Sequence, residues 1–260
     1  MNKPIGIFDS GIGGLTVARE IIKTLPYEDI IYFGDTARVP YGSKSKETIT
    51  RFSKEIVDFL LGKKVKLIVV ACNTASSNAL PELESNYKDI PFVGVVKPSV
   101  KKALSLAKRV IGVIGTRATI ESGIYSTVLG DRFKIVQKSC PLFVPLVEEG
   151  FINTPFTREI TEFYLNPLQK ENVDALILGC THYPMLKNVI GDVLGEEVNL
   201  VDSAVEVAIF VGELLDTEGT KNNRRTPTYS FYFSDIPQNL SEMVDRFLGR
   251  KVEIEKVFLG

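Results

Sequence analysis

Several residue types that mark particular classes of protein are scarce or missing in this 260-residue chain. It has one histidine, three cysteines and no tryptophan. A zinc site built mainly from histidine and cysteine would need nearly all of these residues, so we expect no metal site. The cysteines, Cys72, Cys140 and Cys180, are odd in number and widely spaced, which is not the pattern of a disulfide framework. We therefore expect reduced thiols in a reducing compartment.

The sequence also lacks long apolar runs and an excess of charge of either sign. Its longest apolar run, residues 67–72, is far too short to cross a bilayer, and the first residues contain no apolar stretch typical of a secretory signal. Lys and Arg number 31 against 32 Asp and Glu, whereas proteins that bind nucleic acid non-specifically carry a basic excess. With 44% hydrophobic residues, the composition predicts a folded cytoplasmic protein without nucleic-acid or membrane partners.

Short apolar runs alternate along the chain with longer segments of helical periodicity. This alternation predicts parallel sheets with helices on both faces. The run 67–71 is rich in β-branched residues, which is typical of a parallel strand buried on both faces. The predicted strands are 5–9, 30–34, 67–71, 92–96, 110–115, 134–137, 175–179, 198–201, 228–233 and 251–258. The predicted helices are 15–25, 48–61, 76–87, 120–129, 157–169, 185–194, 203–215 and 240–248.

Two segments resemble each other, LIVVACNTAS and ALILGCTHYP. Each places a cysteine, Cys72 or Cys180, directly after a hydrophobic strand and before a polar pair that contains threonine. Because open α/β sheets bind ligands at the carboxyl ends of their strands, two such edges facing each other would enclose one ligand. The sequence therefore predicts an α/β fold of two similar lobes, each a mostly parallel sheet flanked by helices, with the active site in the cleft between them. The predicted lobes are residues 1–96 plus 209–260, and residues 97–208.

The three cysteines differ in their surroundings. An isolated cysteine is usually a core residue, which is our interpretation of Cys140. The small polar residues that follow Cys72 and Cys180 are unsuited to a dry core, and their matching contexts favour a function. Neither lies in a cluster with the spacing of metal ligands, but a redox disulfide between them stays open at this point.

Two loops have the composition of ligand-binding turns. In DSGIGG, the glycines after Asp9 and Ser10 would let the backbone approach a ligand closely, and the following helix N-terminus favours an anion. In GDTARVPYGS, the segment Tyr41-Gly42-Ser43 could present N–H groups and hydroxyls to a carboxylate. Taken alone, either loop could equally be an ordinary turn.

Six segments carry a family resemblance: DSGIGG, GDTARVPYG, ACNTAS, GTRATIESGIY, CPLFVPLVEEG and GCTHYP. They occur in the order found in glutamate racemases, members of the cofactor-independent aspartate/glutamate racemase superfamily, and span residues 5 to 205. The resemblance implies interconversion of L- and D-glutamate without a cofactor or a metal, and supply of D-glutamate for peptidoglycan. It also implies a homodimer, which is common in this family.

The resemblance further implies roles for individual residues. Cys72 would take the α-proton from D-glutamate and Cys180 from L-glutamate, while the other thiol reprotonates the opposite face. The polar groups implied to assist the cysteines are Asp9, Glu148 and His182. The residues implied to bind substrate are Asp9, Ser10, Tyr41, Gly42, Asn73, Thr74, Thr116, Thr119, Thr181 and His182. The chain departs from the family pattern around Pro98, where Lys97 replaces a usual acidic residue and Ser99 a usual glycine; we expect this to alter local helix capping only.

Two other functions remain to be weighed. One is racemisation of aspartate or another acidic amino acid, which relative rates on glutamate and aspartate would distinguish. The other is a small-anion-binding or redox-sensing protein that uses Cys72 and Cys180 as a switch. Such a sensor would bind its ligand or form a disulfide without turnover, whereas a racemase would change the optical rotation of its substrate.

Overall fold

The structure of the chain is a computed structural model that describes residues 3–223 and 226–259. The strands in these residues are β1 (Ile5–Asp9), β2 (Ile30–Gly34), β3 (Leu67–Val70), β4 (Phe92–Gly94), β5 (Val110–Gly115), β6 (Lys134–Ser139), β7 (Ala175–Gly179), β8 (Asn199–Asp202), β9 (Tyr229–Phe233) and β10 (Ile254–Lys256). The helices are α1 (Leu15–Thr24), α2 (Lys46–Gly62), α3 (Asn73–Asn78), α4 (Leu80–Asn86), α5 (Val96–Leu106), α6 (Arg117–Glu121), α7 (Ile124–Leu129), α8 (Phe143–Glu148), α9 (Pro155–Lys170), α10 (Lys187–Leu194), α11 (Ser203–Thr217) and α12 (Leu240–Leu248). Short 3₁₀ helices lie at Thr36–Arg38, Tyr41–Ser43 and Tyr183–Leu186.

The strands form two separate sheets in which every pairing is parallel. The first sheet has the order β10-β9-β2-β1-β3-β4, and the second has the order β6-β5-β7-β8. Strands β1, β3, β5 and β7 are buried along their whole length, as expected for apolar strands covered by helices on both faces. The predicted α/β fold with two sheets flanked by helices is confirmed.

The chain leaves the first sheet after β4, builds the second sheet, and then returns. Strand β9 pairs with β2, and β10 pairs with β9, so the last strands complete the first sheet. Helix α11, which precedes this return, contacts α1 of the first lobe and α5 of the second. The lobe boundaries at residues 96 and 209 stay a prediction.

The stretch after β4 differs from the sequence prediction. The strand predicted at 92–96 ends at Gly94, and helix α5, which was not predicted, begins at Val96. Its buried residues include Val96, Val100 and Ala103, which share one helical face. Pro98 lies in the first turn, where a missing N–H costs no helical hydrogen bond, so this proline does not mark a break.

Two predicted helices are each divided into two in the structure. The helix predicted at 120–129 is two short helices, α6 and α7, because Gly123 adopts a positive φ of 68° between them. The helix predicted at 76–87 begins earlier, at Asn73, and is divided into α3 and α4. Helix α8 was not predicted at all. Among the described residues, no helix is both long enough and apolar enough to span a membrane.

Asp174 provides a test of how the start of β5 is held. Its carboxylate accepts hydrogen bonds from the backbone N–H groups of Lys108, Arg109 and Val110 at 2.9, 2.7 and 3.1 Å. Partial burial raises the pKa of this carboxyl, but the three backbone hydrogen bonds outweigh it and lower the pKa below its usual value. Since the pKa is lower in the folded state, this stabilisation is present above the unfolded-state pKa of about 3.9 and is lost as the pH falls through the folded-state pKa.

We expect Asp174→Ala to reduce the free energy of unfolding by about 1–2 kcal/mol at neutral pH, and by less near pH 2. Urea denaturation of both proteins across this pH range measures the difference. Asp89→Ala, at an exposed turn position, is the control and should change stability by less than about 0.5 kcal/mol. A loss for Asp174→Ala that did not shrink in acid would contradict the role of the ionised carboxylate.

Candidate active site

Two cysteines lie at corresponding places in the two sheets. Cys72 follows β3, which pairs with β1, and Cys180 directly follows β7, which pairs with β5. Their exposed fractions are only 5% and 6%. Both thiols are therefore poorly solvated, and the charge of Cys180 is the smallest of the effects that raise the pKa of Cys72.

Cys72 occupies the N-cap position of α3. Its sulfur accepts a hydrogen bond from the N–H of Ala75 at 3.5 Å and donates one to the hydroxyl of Ser10 at 3.5 Å. Burial raises the pKa of this thiol and the negative charge of Asp9 adds to the effect, whereas the two hydrogen bonds oppose it. The net result is a pKa of about 12, so Cys72 is a neutral thiol at neutral pH.

Cys180 is linked to a buried histidine and a carboxylate. Its sulfur lies 3.9 Å from Nδ1 of His182, and Nε2 of the same ring lies 2.9 Å from Oε1 of Glu148. Burial lowers the pKa of His182, but the hydrogen bonds and charges of Cys180 and Glu148 outweigh it and raise the pKa to about 10. The imidazole is therefore protonated at neutral pH and stands between two acceptors of its hydrogen bonds.

Helix α12 of the C-terminal segment supports this pair. Arg246 donates from Nη1 to the carbonyls of Val147 and Glu148, at 3.2 and 3.0 Å, where α8 ends. The ring of Phe247 packs edge-on against His182 with a centroid distance of 5.2 Å. The sequence analysis missed both residues, since neither lies in a motif and only the fold brings α12 to the second lobe.

Asp9 ends β1 beside Cys72 and is almost fully buried. Its Oδ2 accepts a hydrogen bond from the N–H of Gly11 at 2.9 Å, while its Oδ1 has no partner among the described residues. Burial raises the pKa of this carboxyl, although the positive charge of His182 and the backbone N–H groups of Gly14, Gly11 and Ser10 act in the opposite direction. The site thus holds an acidic group that lacks half of its hydrogen bonds.

Gly13 of the DSGIGG segment allows the two lobes to approach each other. A Cβ at Gly13 would lie 2.2 Å from Oγ1 of Thr181 and 2.5 Å from the ring of His182. Thr16, at the start of α1, donates its hydroxyl to the carbonyl of Thr181 at 3.0 Å. A side chain at Gly13 would therefore collide with the second lobe.

Three threonines, one from α3 and two from the start of α6, meet on the Cys72 side of the site. The hydroxyls of Thr74, Thr116 and Thr119 lie 2.9 to 3.3 Å from one another. Gly42 packs against them, because a Cβ there would lie 2.9 Å from Cβ of Thr116. The loop 41–43, α3 and α6 are therefore in contact, which brings these predicted residues of both lobes together.

The remaining predicted residues are also placed beside the cysteines or their loops. Tyr41 is buried, and its hydroxyl donates to Oδ2 of Asp35, so the phenol shapes the loop that carries Gly42. Asn73 is buried directly after Cys72, and its Oδ1 accepts a hydrogen bond from Tyr125. By contrast, Cys140 donates its thiol to the carbonyl of Lys138 at 3.7 Å, and burial raises its pKa.

The site is enclosed. Two surface cavities of about 540 and 400 Å³ lie on the second lobe, and none of the predicted site residues lines either of them. Cys72 and Cys180 are themselves nearly buried, so little water surrounds the two thiols. Within residues 3–223 and 226–259, no group of three or more His, Cys, Asp or Glu side chains is arranged to hold a metal ion.

Comparisons with known proteins point to one family. The family model described as Asp/Glu/Hydantoin racemase matches residues 5–209. A protein of Geobacter metallireducens named glutamate racemase is 49% identical, covering 96% of this chain and 94% of its own length. A glutamate racemase of Aquifex aeolicus is also 49% identical, covering 96% and 95%. The crystal structure of glutamate racemase from Francisella tularensis in complex with D-glutamate superposes with a TM-score of 0.94 at 38% identity, covering 99% of this chain and 98% of that one.

The single histidine allows the Glu148–His182 pair to be tested directly. Because the raised pKa of His182 depends in part on the carboxylate of Glu148, we expect Glu148→Gln to lower that pKa by about one unit. Stabilisation by this pair is fully present below the unfolded histidine pKa of about 6.5, and it is lost as the pH rises through the folded value near 10.

NMR titration of the imidazole in untagged protein reports this one residue without assignment. Glu149→Gln, at the exposed neighbouring position, is the matched control and should leave the titration unchanged. An imidazole of the wild type that titrated near 6.5, or one that was insensitive to Glu148→Gln, would contradict the arrangement.

Proposed function

The chain belongs to the Asp/Glu/Hydantoin racemase family, and we propose that it interconverts L- and D-glutamate by proton transfer at Cα between Cys72 and Cys180. It is an amino-acid racemase and hence an isomerase. The observation that carries the two-cysteine mechanism is the placement of two buried thiols at the ends of equivalent strands, β3 and β7, of two facing lobes.

Inverting a stereocentre through a planar carbanion needs a base on one face and an acid on the other. A thiolate removes the α-proton, the electron pair of the broken C–H bond stays on the planar carbon, and the opposite thiol delivers a proton to the other face. Following the family resemblance, Cys72 accepts the proton of D-glutamate and Cys180 that of L-glutamate. Each turnover exchanges the protonation states of the two sulfurs, and solvent exchange restores them.

The two sulfurs have different environments, which suits this division of roles. With both pKa values near 8.5, only about 3% of sites would hold one thiolate and one thiol at pH 7, against about 25% for pKa values at ambient pH. In the structure Cys72 carries its proton, whereas Cys180 faces the protonated His182. Cys72 is therefore in the protonation state of the acid that the conversion of L- to D-glutamate requires.

Adjusting the protonation states supplies only a small part of the catalysis. Raising the fraction of sites with one thiolate and one thiol from about 3% to about 25% is equivalent to lowering the barrier by roughly 1.2 kcal/mol. This is far less than the barrier reduction that enzymes usually provide. Most of the barrier reduction must come from positioning the substrate and stabilising the charge that develops on its α-carboxylate. The buried donors around the sulfurs fit that task, and the unpartnered Oδ1 of Asp9 fits the substrate's ammonium group. The proposed substrate-binding residues are Asp9, Ser10, Tyr41, Gly42, Asn73, Thr74, Thr116, Thr119, Thr181 and His182.

The proposal extends to the cellular role. D-glutamate made by this chain would supply peptidoglycan synthesis in the cytoplasm, in keeping with the role of its family. We also propose that the protein forms a homodimer. Phe156 and Phe163 on α9 are 56% and 73% exposed, which offers apolar surface for a second copy to cover.

Removing either thiol should abolish racemisation. We expect Cys72→Ser and Cys180→Ser each to lower kcat for both enantiomers by at least about a thousandfold, since general acid–base groups contribute 10²–10⁴ each and serine is a far weaker acid. Polarimetry in water measures the inversion of the stereocentre. Incorporation of deuterium at Cα in heavy water measures the exchange of the α-proton. No cofactor is added.

Cys140→Ala is the control, because the thiol of this third buried cysteine donates to the backbone carbonyl of Lys138 and has no part in the proposed reaction. It should retain activity within about threefold. Full activity in either active-site variant would contradict the two-thiol mechanism. A wild type that bound glutamate or formed a Cys72–Cys180 disulfide without turnover would indicate the redox-sensing alternative instead.

The choice of substrate has its own test. We expect kcat/KM for glutamate to exceed that for aspartate by at least about a hundredfold, because aspartate is one methylene shorter and would leave buried donors unpaired that glutamate satisfies. Racemisation rates measured on both amino acids under the same conditions decide this. Equal or higher activity on aspartate would contradict the assignment of glutamate as the preferred substrate.

A further inference from the structure

Asn73 presents only half of its side-chain amide to the protein. Its Oδ1 accepts a hydrogen bond from the hydroxyl of Tyr125 at 2.7 Å. Its Nδ2 is buried and has no hydrogen-bond partner among the described residues. An unpaired buried donor lowers the stability of the folded protein. Such a donor either carries this cost without a function or donates a hydrogen bond to a ligand when the ligand binds.

Tyr125 is held rigidly in this place. It belongs to α7 of the second lobe, is fully buried, and packs in an apolar cluster with Val96, Val100 and Ile177. Gly179, the residue before Cys180, lies against its ring, since a Cβ there would be 3.4 Å from Cε2 of Tyr125. One tyrosine thus touches the residue that precedes the second cysteine and the residue that follows the first.

The two ends of an asparagine amide differ in what they can bind. The oxygen only accepts hydrogen bonds and the nitrogen only donates them, although the two are nearly the same size. A carboxylate oxygen of a substrate needs donors and is repelled by another carbonyl oxygen. Because Oδ1 of Asn73 accepts the hydrogen bond from Tyr125, the amide group is fixed with its Nδ2 at the other end. Nδ2 is therefore the atom that can donate a hydrogen bond to a ligand.

We infer that Tyr125 is a positioning residue that fixes the amide of Asn73, so that this position offers a donor to a substrate carboxylate. The hydroxyl of Tyr125 does not touch the substrate; it acts through Asn73. The inference rests on the proposed function, because it assumes that the ligand is an amino acid with a carboxylate at this site. Through Tyr125, the second lobe would then contribute to substrate binding next to Cys72 of the first lobe.

The test is a double-mutant cycle on kcat/KM in both directions. We expect Tyr125→Phe to lower kcat/KM about tenfold, mainly through a higher KM, because a ground-state contact with the carboxylate is weakened. In an Asn73→Ala background the same Tyr125→Phe change should alter kcat/KM by less than about twofold. Equal losses in both backgrounds would overturn the inference, as would an unchanged KM for the single variant.

Two further variants separate positioning from structural effects. Tyr164→Phe removes a hydroxyl that accepts from the backbone N–H of Leu142 in the same lobe, and it should leave kcat/KM within about twofold. Asn73→Asp keeps an acceptor for Tyr125 but replaces the donor by a second acceptor, so its kcat/KM should fall below that of Asn73→Ala. This comparison needs no change at Tyr125 and holds even if Tyr125→Phe is unstable. An Asn73→Asp variant as active as the wild type would overturn the inference.

The failure of the proposed function would be recognised separately. If the wild type bound D- or L-glutamate without racemising it, the same cycle could be measured on the dissociation constants by calorimetry, with about a tenfold weakening expected for Tyr125→Phe. Binding that is unaffected by Tyr125→Phe would then overturn the positioning role. A wild type that bound no glutamate would overturn both.

Discussion

Burial of ionisable groups between the two lobes is the constraint on which the rest of the site depends. Asp9, Cys72 and His182 are all nearly excluded from water, and each would be costly there without partners. Loss of solvent drives the pKa of Cys72 up, and the same low polarity strengthens the hydrogen bonds that keep His182 protonated. In a site open to water the pKa of Cys72 would fall toward its ordinary value.

This enclosure requires the lobes to touch closely, and short side chains make that possible. Gly13 has no Cβ where one would meet Thr181 and His182, and Thr16 donates across the same joint. On the opposite side, Arg246 and Phe247 extend from the last helix to Glu148 and His182. The second cysteine is therefore positioned from the first lobe at two places, so catalytic geometry and closure of the lobes depend on one another.

Much of the fold could be predicted from the sequence, because continuous apolar runs such as 67–71 and 175–179 indicate strands that are buried on both faces. The parallel sheets and the equivalent places of Cys72 and Cys180 follow from such local patterns. Helix α5 was not predicted; its Pro98 lies in the first turn, where a missing N–H leaves the helix intact. Arg246 and Tyr125 could not be predicted, since each acts through a contact with a residue more than fifty positions away.

The return of the chain to the first sheet affects how the protein is made. Strand β2 gains its outer neighbour, β9, only after the whole second lobe has been synthesised. Until residues 229–233 leave the ribosome, the backbone hydrogen-bonding groups along that edge of β2 have no partner strand, and an unpaired edge is a template for association with other chains. The nascent chain therefore carries an exposed strand edge for as long as the residues between β2 and β9 are being synthesised.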